Sequence, residues 1–161
     1  MSIDDKKAVY YLGVAKKMKQ LAEEAHPGDK EFAEDMFLLG LVHEIAEEFT
    51  DYPSFFNGVG ESILSRNGYK YAKEVGNYKI GCCHYKSEAL NILNTALLMT
   101  SFDGKEITVK EKFDEIAGSI MGVNSQEYDS YREMAFSLDI VPEGINLGMR
   151  GPDWDKGFNK E

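Results

Sequence analysis

Histidine is the residue type best suited to acid–base or metal chemistry near neutral pH, and this chain has three. His43 lies on an otherwise apolar helix face in LLGLVHEIAEEF, and Glu44 follows it directly. A buried imidazole needs a hydrogen-bond partner or a metal ion, because an unsatisfied polar group inside a protein costs about 1–3 kcal/mol. HEIAE is not the HExxH zinc motif, since Glu47 stands where the second histidine belongs. His43 and Glu44 are therefore candidate site residues, and a satisfied core histidine is the alternative.

The other histidines lie in different settings. His26 belongs to the turn HPGD, where we expect a solvated side chain. His84 directly follows Cys82 and Cys83. Adjacent cysteines do not readily adopt disulfide geometry, which favours two small buried side chains in a reducing, cytoplasmic setting.

Cations and aromatic rings are frequent in the middle of the chain. Arg66, Lys79 and Lys86 could neutralise a phosphate, Arg through a bidentate contact and Lys as a point charge. Four tyrosines of the same region could stack on a base. These are Tyr69, Tyr71, Tyr78 and Tyr85. The simpler alternatives are a solvated helix face for the cations and ordinary packing for the rings.

Helical periodicity supplies the elements that would position these residues. Apolar residues recur at helical spacing, and no segment alternates at period two. Ser2 with Asp5 and Thr108 with Glu111 have capping-box spacing, and Ser125 is a further N-cap candidate. The predicted helical segments are residues 2–26, about 30–48, 61–64, 69–75, 77–86, 87–99, 108–120 and 125–138.

The sequence therefore predicts an all-α bundle of six or seven helices over residues 1–138. Residues 139–161 hold two of the four prolines and Trp154, and they predict an irregular tail that is loosely ordered or draped over the bundle.

Composition limits the partners. The chain has 161 residues and a net charge of −10, which argues against binding a DNA or RNA polymer because such surfaces need clustered Lys and Arg. No apolar run approaches the roughly 20 residues that span a bilayer, so we expect no membrane insertion. The start MSIDDKKAVYY has no apolar core of a secretory signal, which is consistent with a cytoplasmic location.

Taken together, the motifs resemble the HD-domain phosphohydrolases, all-helical metalloenzymes that cleave phosphate bonds in nucleotides. That family carries a His on the first helix, a His-Asp pair ending the second, often further His residues, and an Asp on a later helix. The resemblance covers about residues 8–137. It is carried by YYLGVAKKMKQLAEEA, FLLGLVHEIAEEF, NGYKYAKEVGNYKIGCCHY and ALLMTSFDGKEITVKEKFDEIAG.

The resemblance places the family's metal ligands on a changed set of residues. The first-helix His falls at Tyr10, the His-Asp pair becomes His43 and Glu44, and His84 matches a central His. The final Asp falls at Leu98, which cannot coordinate a metal, and a protonated tyrosine is a poor ligand near pH 7. Two of the four expected ligands are thus replaced. If a metal is retained, His43, Glu44 and His84 are its expected ligands.

The resemblance then implies a degenerate HD-like protein that binds a nucleotide or nucleotide-derived signal without cleaving it, as a sensor, a regulator or a sequestering protein, with no cofactor. The predicted ligand-binding residues are Tyr10, His43, Glu44, Arg66, His84 and Lys86.

Two alternatives stay open. A phosphohydrolase would use Mn, Fe, Zn or Mg, with Glu47 or Glu48 as a compensating carboxylate and a metal-activated water as nucleophile. A protein-interaction module would use the acidic surface or the Trp154 tail. Whether the chain forms a homo-oligomer is left open by the sequence.

Overall fold

A computed structural model describes residues 3–52, 56–80, 84–119, 122 and 125–145. Within these residues the fold is all-α, with seven α-helices and a short 3-10 helix. The α-helices are α1 (Ile3–Ala25), α2 (Lys30–Val42), α3 (Phe56–Arg66), α4 (Ala72–Asn77), α5 (Glu88–Leu98), α6 (Val109–Ala117) and α7 (Gln126–Ser137), and the 3-10 helix is Ile45–Glu48. This confirms the predicted bundle of six or seven helices.

Helices α1 and α2 pack closely along one another. A Cβ added at Gly40 would lie 2.5 Å from the Cα of Ala15, so only glycine permits this approach of the two backbones. Asp29 caps α2, because its Oδ1 accepts a hydrogen bond from the backbone N–H of Phe32 at 3.0 Å. The pair presents the end of α2, and therefore His43, beside the first half of α1.

Helix α5 is the central element, since it packs against α1, α2, α4 and α7. Leu93, Ala96, Leu97 and Leu98 on this helix have no solvent exposure. Ser87 caps the helix by accepting from the backbone N–H of Leu90 at 3.0 Å. The apolar residues that recur at helical spacing along α5 therefore form the core of the bundle.

A tight turn after α5 packs against α1. Thr100 and Glu106 pair as an isolated antiparallel bridge, and Gly104 between them has a φ of 82°. A Cβ on Gly13 of α1 would lie 2.3 Å from the carbonyl oxygen of Gly104, so this contact also excludes side chains.

Several predicted boundaries are confirmed. Helix α1 ends just before the HPGD turn, and α5 occupies the segment predicted for it. Thr108 and Glu111 form both hydrogen bonds of a capping box at the start of α6. Ser125 caps α7 by accepting from the backbone N–H of Tyr128 at 3.0 Å. Ser2, and the end of the α6 segment at Ile120, lie outside the described residues.

Other predicted elements were wrong. The second helix stays α-helical only to Val42, and the following Ile45–Glu48 turn is 3-10. The single turn predicted at 61–64 belongs to the longer α3, and the helix predicted at 69–75 is α4 at Ala72–Asn77.

The segment 77–86 is the largest correction. Beyond the end of α4 its described residues are not helical, and Lys79 has a φ of 61°, which an α-helix does not accommodate. Cys82 and Cys83 lie outside the described residues. So do residues 146–161 of the predicted tail, including Trp154, while the described residues 139–145 contain no helix.

None of the helices in the described part of the chain combines the length and the apolar character that a bilayer crossing requires.

Candidate functional site

His43 ends α2 and turns its side chain into the bundle, where the side chain has no solvent exposure. Its Nδ1 lies 2.6 Å from the carbonyl oxygen of Gly40. A carbonyl oxygen can only accept, so Nδ1 carries a proton and donates it there. Nε2 is buried and has no hydrogen-bond partner among the described residues. His43 is thus half satisfied, with Nε2 left for a further interaction.

Tyrosine rings surround His43. Tyr10 and Tyr11 of α1 and Tyr78 after α4 present edge-on rings, with centroids 6.3, 5.9 and 5.3 Å from the imidazole. Burial, and then the proximity of Tyr131 and Glu44, raises the pKa of Tyr10 well above its usual value. The Tyr10 hydroxyl is therefore neutral at physiological pH and hydrogen-bonds with Tyr131 of α7.

Glu44 borders His43 on the solvent side. Its Oε1 lies 3.6 Å from Nε2 of His43, and its side chain is 16% exposed. Burial alone would raise the pKa of Glu44, but the closeness of the His43 imidazole, followed by the charge of Lys79, holds that pKa below its usual range. Glu44 is therefore an ionised carboxylate at neutral pH.

Lys79 faces the same space from the turn after α4. Its backbone N–H donates to Oδ1 of Asn94 at 3.0 Å, which anchors the left-handed conformation to α5. Its Nζ lies 2.5 Å from Oε1 of Glu127 at the start of α7 and 5.1 Å from the ring centroid of Tyr131. Burial lowers the pKa of Lys79, but Tyr131, Glu127 and Glu44 outweigh it and raise that pKa above its usual value. Lys79 is a permanent cation.

Glu47 supplies a further carboxylate from the 3-10 helix. Its Oε2 accepts a hydrogen bond from the Tyr11 hydroxyl at 3.1 Å and pairs with Nζ of Lys7 at 2.9 Å. The 3-10 geometry turns Glu44 and Glu47 toward one side, so both reach the same cavity.

Five of these side chains border a cavity of about 640 Å³, a volume within the range of small-molecule sites, whereas Tyr10, Tyr11, His43 and Lys7 do not line it. It lies between the 3-10 helix, the start of α3, the Lys79 turn and the start of α7. Its described lining combines carboxylates, one lysine, amides, a hydroxyl and apolar surface. The lining residues are Glu44, Glu47, Phe56, Asn57, Tyr78, Lys79, Ile80, Gln126, Glu127 and Ser130.

The structure brings together three of the residues predicted for the site and separates the others. Tyr10, His43 and Glu44, which the family resemblance groups, lie close together in the structure. Arg66 at the end of α3 and Lys86 before α5 are exposed, and neither belongs to the described cavity lining.

His84 also lies away from this cluster. It is exposed in an irregular segment and not on a helix, because the helix predicted for 77–86 ends early. It does not line the cavity either.

Sequence reasoning missed Glu127 and Asn57. Glu127 carried only the weak signal of an acidic residue in the first turn of a capped helix. Asn57 lies in the first turn of α3 and donates to the backbone oxygen of Tyr78 at 2.9 Å, which holds that ring at the cavity. Neither role has a signature in local sequence.

The divalent ion implied by the HD resemblance does not fit the described residues. Leu98, at the position of the family's final Asp, is a fully buried hydrocarbon side chain. Tyr10 keeps its proton, and no three His, Cys, Asp or Glu side chains in the described ranges are grouped as metal ligands would be. His43 and Glu44 alone do not complete the ligand set that such an ion needs.

Comparison with models of known protein families, with curated protein sequences and with solved structures gave no match for this chain.

Proposed function

We propose that this chain is an HD-like protein that binds a nucleotide-derived small molecule without hydrolysing it. The observation that carries the proposal is the cavity of about 640 Å³ bordered by Glu44, with polar side chains and two aromatic rings lining it. Such a combination of apolar surface and a few directed polar groups is typical of small-molecule sites.

The lining suits the parts of a nucleoside. Carboxylates such as Glu44 accept hydrogen bonds from ribose hydroxyls or from base amino groups. The rings of Phe56 and Tyr78 offer apolar surface to a base. Gln126 and Ser130 can donate or accept, so they can read an edge that carries both kinds of group.

Binding without turnover follows from the replaced ligands. Metal-assisted hydrolysis needs an ion that polarises the phosphate and generates a nucleophilic hydroxide. With tyrosine at position 10 and leucine at position 98, the chain lacks two of the side chains that the family uses to hold that ion. What remains is a cluster that can orient a ligand through Glu44, with His43 positioning that carboxylate from behind.

Calorimetric titration with a panel of nucleosides and nucleotides tests the proposal. We expect one class to bind, and we expect Glu44→Gln to weaken that binding about tenfold, equivalent to losing one charge-assisted hydrogen bond of about 1.4 kcal/mol. Glu48→Gln is the matched control, because Glu48 is on the same 3-10 helix, is exposed and does not line the cavity.

Two results would contradict the proposal. If no panel member binds, or if Glu44→Gln and Glu48→Gln bind equally well, the cavity is not the binding site. Phosphate release from a nucleotide in the presence of Mn²⁺, abolished by His43→Ala in a folded variant, would show a phosphohydrolase instead.

A further inference from the structure

Resting on the function proposed above, we infer that the ligand meets the cavity with neutral or cationic hydrogen-bond donors, and that a nucleoside or free nucleobase binds in preference to its phosphorylated form. The reason lies in how the charges around the cavity are paired.

Each lysine of the described residues that reaches the cavity carboxylates is already committed to one of them. Lys79 holds Glu127 at 2.5 Å, and Lys7 holds Glu47 at 2.9 Å. A phosphate would have to break one of these pairs to gain a cation, and a carboxylate would then be left uncompensated beside it. The cavity therefore offers no free cation from its described lining.

Glu44 is the carboxylate of this lining that pairs with no lysine. Its neighbour is the imidazole of His43, 3.6 Å away, which is fully buried and whose Nε2 has no hydrogen-bond partner in the described part of the chain. An ionised carboxylate has only acceptor positions, so it selects amino and hydroxyl groups and repels phosphate oxygens. Glu44 thus presents carboxylate oxygens as hydrogen-bond acceptors at the edge of the cavity, with the buried His43 imidazole behind it.

The contacts of Lys79 hold its side chain in place, so it cannot easily turn toward a phosphate. The left-handed backbone of Lys79 is tied to Asn94, and its ammonium group is held between Glu127 and the Tyr131 ring. Turning this lysine toward an incoming anion would break the ion pair and the contact with the ring together. An amino or hydroxyl donor at Glu44 disturbs neither.

Matched pairs of ligands test the inference on the full-length chain. Adenosine, guanosine, cytidine, uridine and thymidine are each titrated calorimetrically beside the corresponding 5′-monophosphate. We expect at least one nucleoside to bind, and its monophosphate to bind about tenfold more weakly. Raising the salt from about 0.05 M to about 0.5 M should bring the affinities of the nucleoside and its monophosphate closer together, because salt screens the repulsion between the phosphate and the carboxylates.

A variant separates charge from shape. Glu44→Gln keeps the side-chain length and removes the charge, so we expect the nucleoside to lose affinity and its monophosphate to gain it. Glu48→Gln should change neither. If Glu44→Gln does not fold, as judged by circular dichroism, the salt dependence of the wild-type ratio decides the question.

The outcomes distinguish this inference from the function it rests on. A monophosphate that binds as tightly as its nucleoside overturns the inference and leaves the proposed function standing. A ratio that does not respond to salt also overturns it. Absence of binding by every member of the panel overturns both.

Discussion

Lys79 and Lys112 both lie near the ring of Tyr131, yet their pKa values are shifted in opposite directions. Lys79 lies 5.1 Å from the ring centroid on the cavity side, and Lys112 of α6 lies at the same distance in the core. The pKa of Lys79 is raised above its usual value, whereas that of Lys112 is lowered to about 8. Depth does not explain this contrast alone, because both side chains are largely removed from water.

The partners of the two ammonium groups explain the difference. Lys79 has Glu127 at 2.5 Å, so a full negative charge compensates its burial. Lys112 donates to the carbonyl oxygen of Thr100 at 2.7 Å and lies 3.9 Å from the Phe102 ring centroid, and its only close carboxylate in the described residues is Glu115, at 3.4 Å.

For Lys112 the loss of hydration therefore exceeds the gain from its carboxylate. The comparison teaches that a short ion pair, such as the one between Lys79 and Glu127, can outweigh the effect of burial on a lysine pKa, whereas the longer pair between Lys112 and Glu115 does not. Because Lys79 is already paired with Glu127, it does not offer a free cation to a phosphate group.

The largest expected loss of folding stability comes from truncating the side chain of Lys112 in the core. Lys112→Ala removes a fully buried stem and the donor to Thr100, and it should destabilise the fold by about 2–4 kcal/mol through the cavity it creates. Lys112→Met retains the volume and should stay within about 1 kcal/mol of the wild type, because a buried charge is exchanged for an apolar group. Urea unfolding monitored by circular dichroism measures both. Equal losses in the two variants would show that the charge of Lys112, and not its stem, stabilises the core.

The cavity lysine should respond in the opposite way to the same exchange. Lys79→Met leaves the partly buried Glu127 carboxylate without its cation and should cost about 1–3 kcal/mol. The double variant Lys79→Met with Glu127→Gln should recover part of that loss, because no unpaired charge remains. If Lys79→Met is as stable as Lys112→Met, the charge of Lys79 contributes no more to stability than the charge of Lys112, contrary to this prediction.

Alkaline pH offers a test without changing packing. The folded pKa of Lys112 is about 8 and its unfolded value is 10.5, so between these values the unfolded chain binds more protons and stability rises with pH. From about pH 7.5 to 9.5 the gain should be about 1–2 kcal/mol relative to Lys112→Met, which lacks the group. A wild-type curve parallel to that of Lys112→Met would contradict the lowered pKa.

The ionisation of tyrosines sets an upper limit to the pH range of this experiment. The pKa values of Tyr11 and Tyr78 are raised chiefly by burial, so above about pH 10 the unfolded tyrosines lose protons that the folded ones keep. Stability then falls with further increase in pH. The raised pKa of Lys79 acts only above its unfolded value of 10.5 and does not enter the window.

The smallest effect is expected at an exposed lysine. Lys105 pairs with Asp103 at 3.5 Å, with 78% of its own side chain exposed. Exposed ion pairs contribute little, so Lys105→Ala should leave the urea midpoint unchanged within measurement error. A shift comparable with that of Lys79→Met would mean that burial is not what separates these lysines.

Local signals predicted much of the fold because they act over three or four residues. The capping box of Thr108 and Glu111 and the cap at Ser125 each lie where the residue types predict, since a cap is a contact between neighbours in sequence. The helix predicted across Lys79 failed because its backbone conformation is held by a hydrogen bond to Asn94, fifteen positions away on another helix. Nothing in NYKIGCCHYK itself encodes that bond.

The residues of the candidate site also fall into two groups, those that the sequence pattern places and those that only tertiary contacts place. Tyr10, His43 and Glu44 were predicted together from a family pattern, and they do cluster. His84 was placed with them on the assumption that its segment is helical, and the turn at Lys79 leaves it exposed elsewhere. Glu127 was not predicted at all, because its importance lies in a pairing with Lys79 across 48 positions.

The sequence by itself therefore determined the all-α class, most helix starts, the apolar stripe of α5 and the closeness of Tyr10 to His43. Each depends on periodicity, capping or a motif, which are legible within one or two turns of helix. Only the tertiary structure decided which charges face the cavity and which lysine has its pKa lowered. Electrostatic pairing and desolvation depend on distances between side chains from different helices, and those distances exist only after the helices have packed.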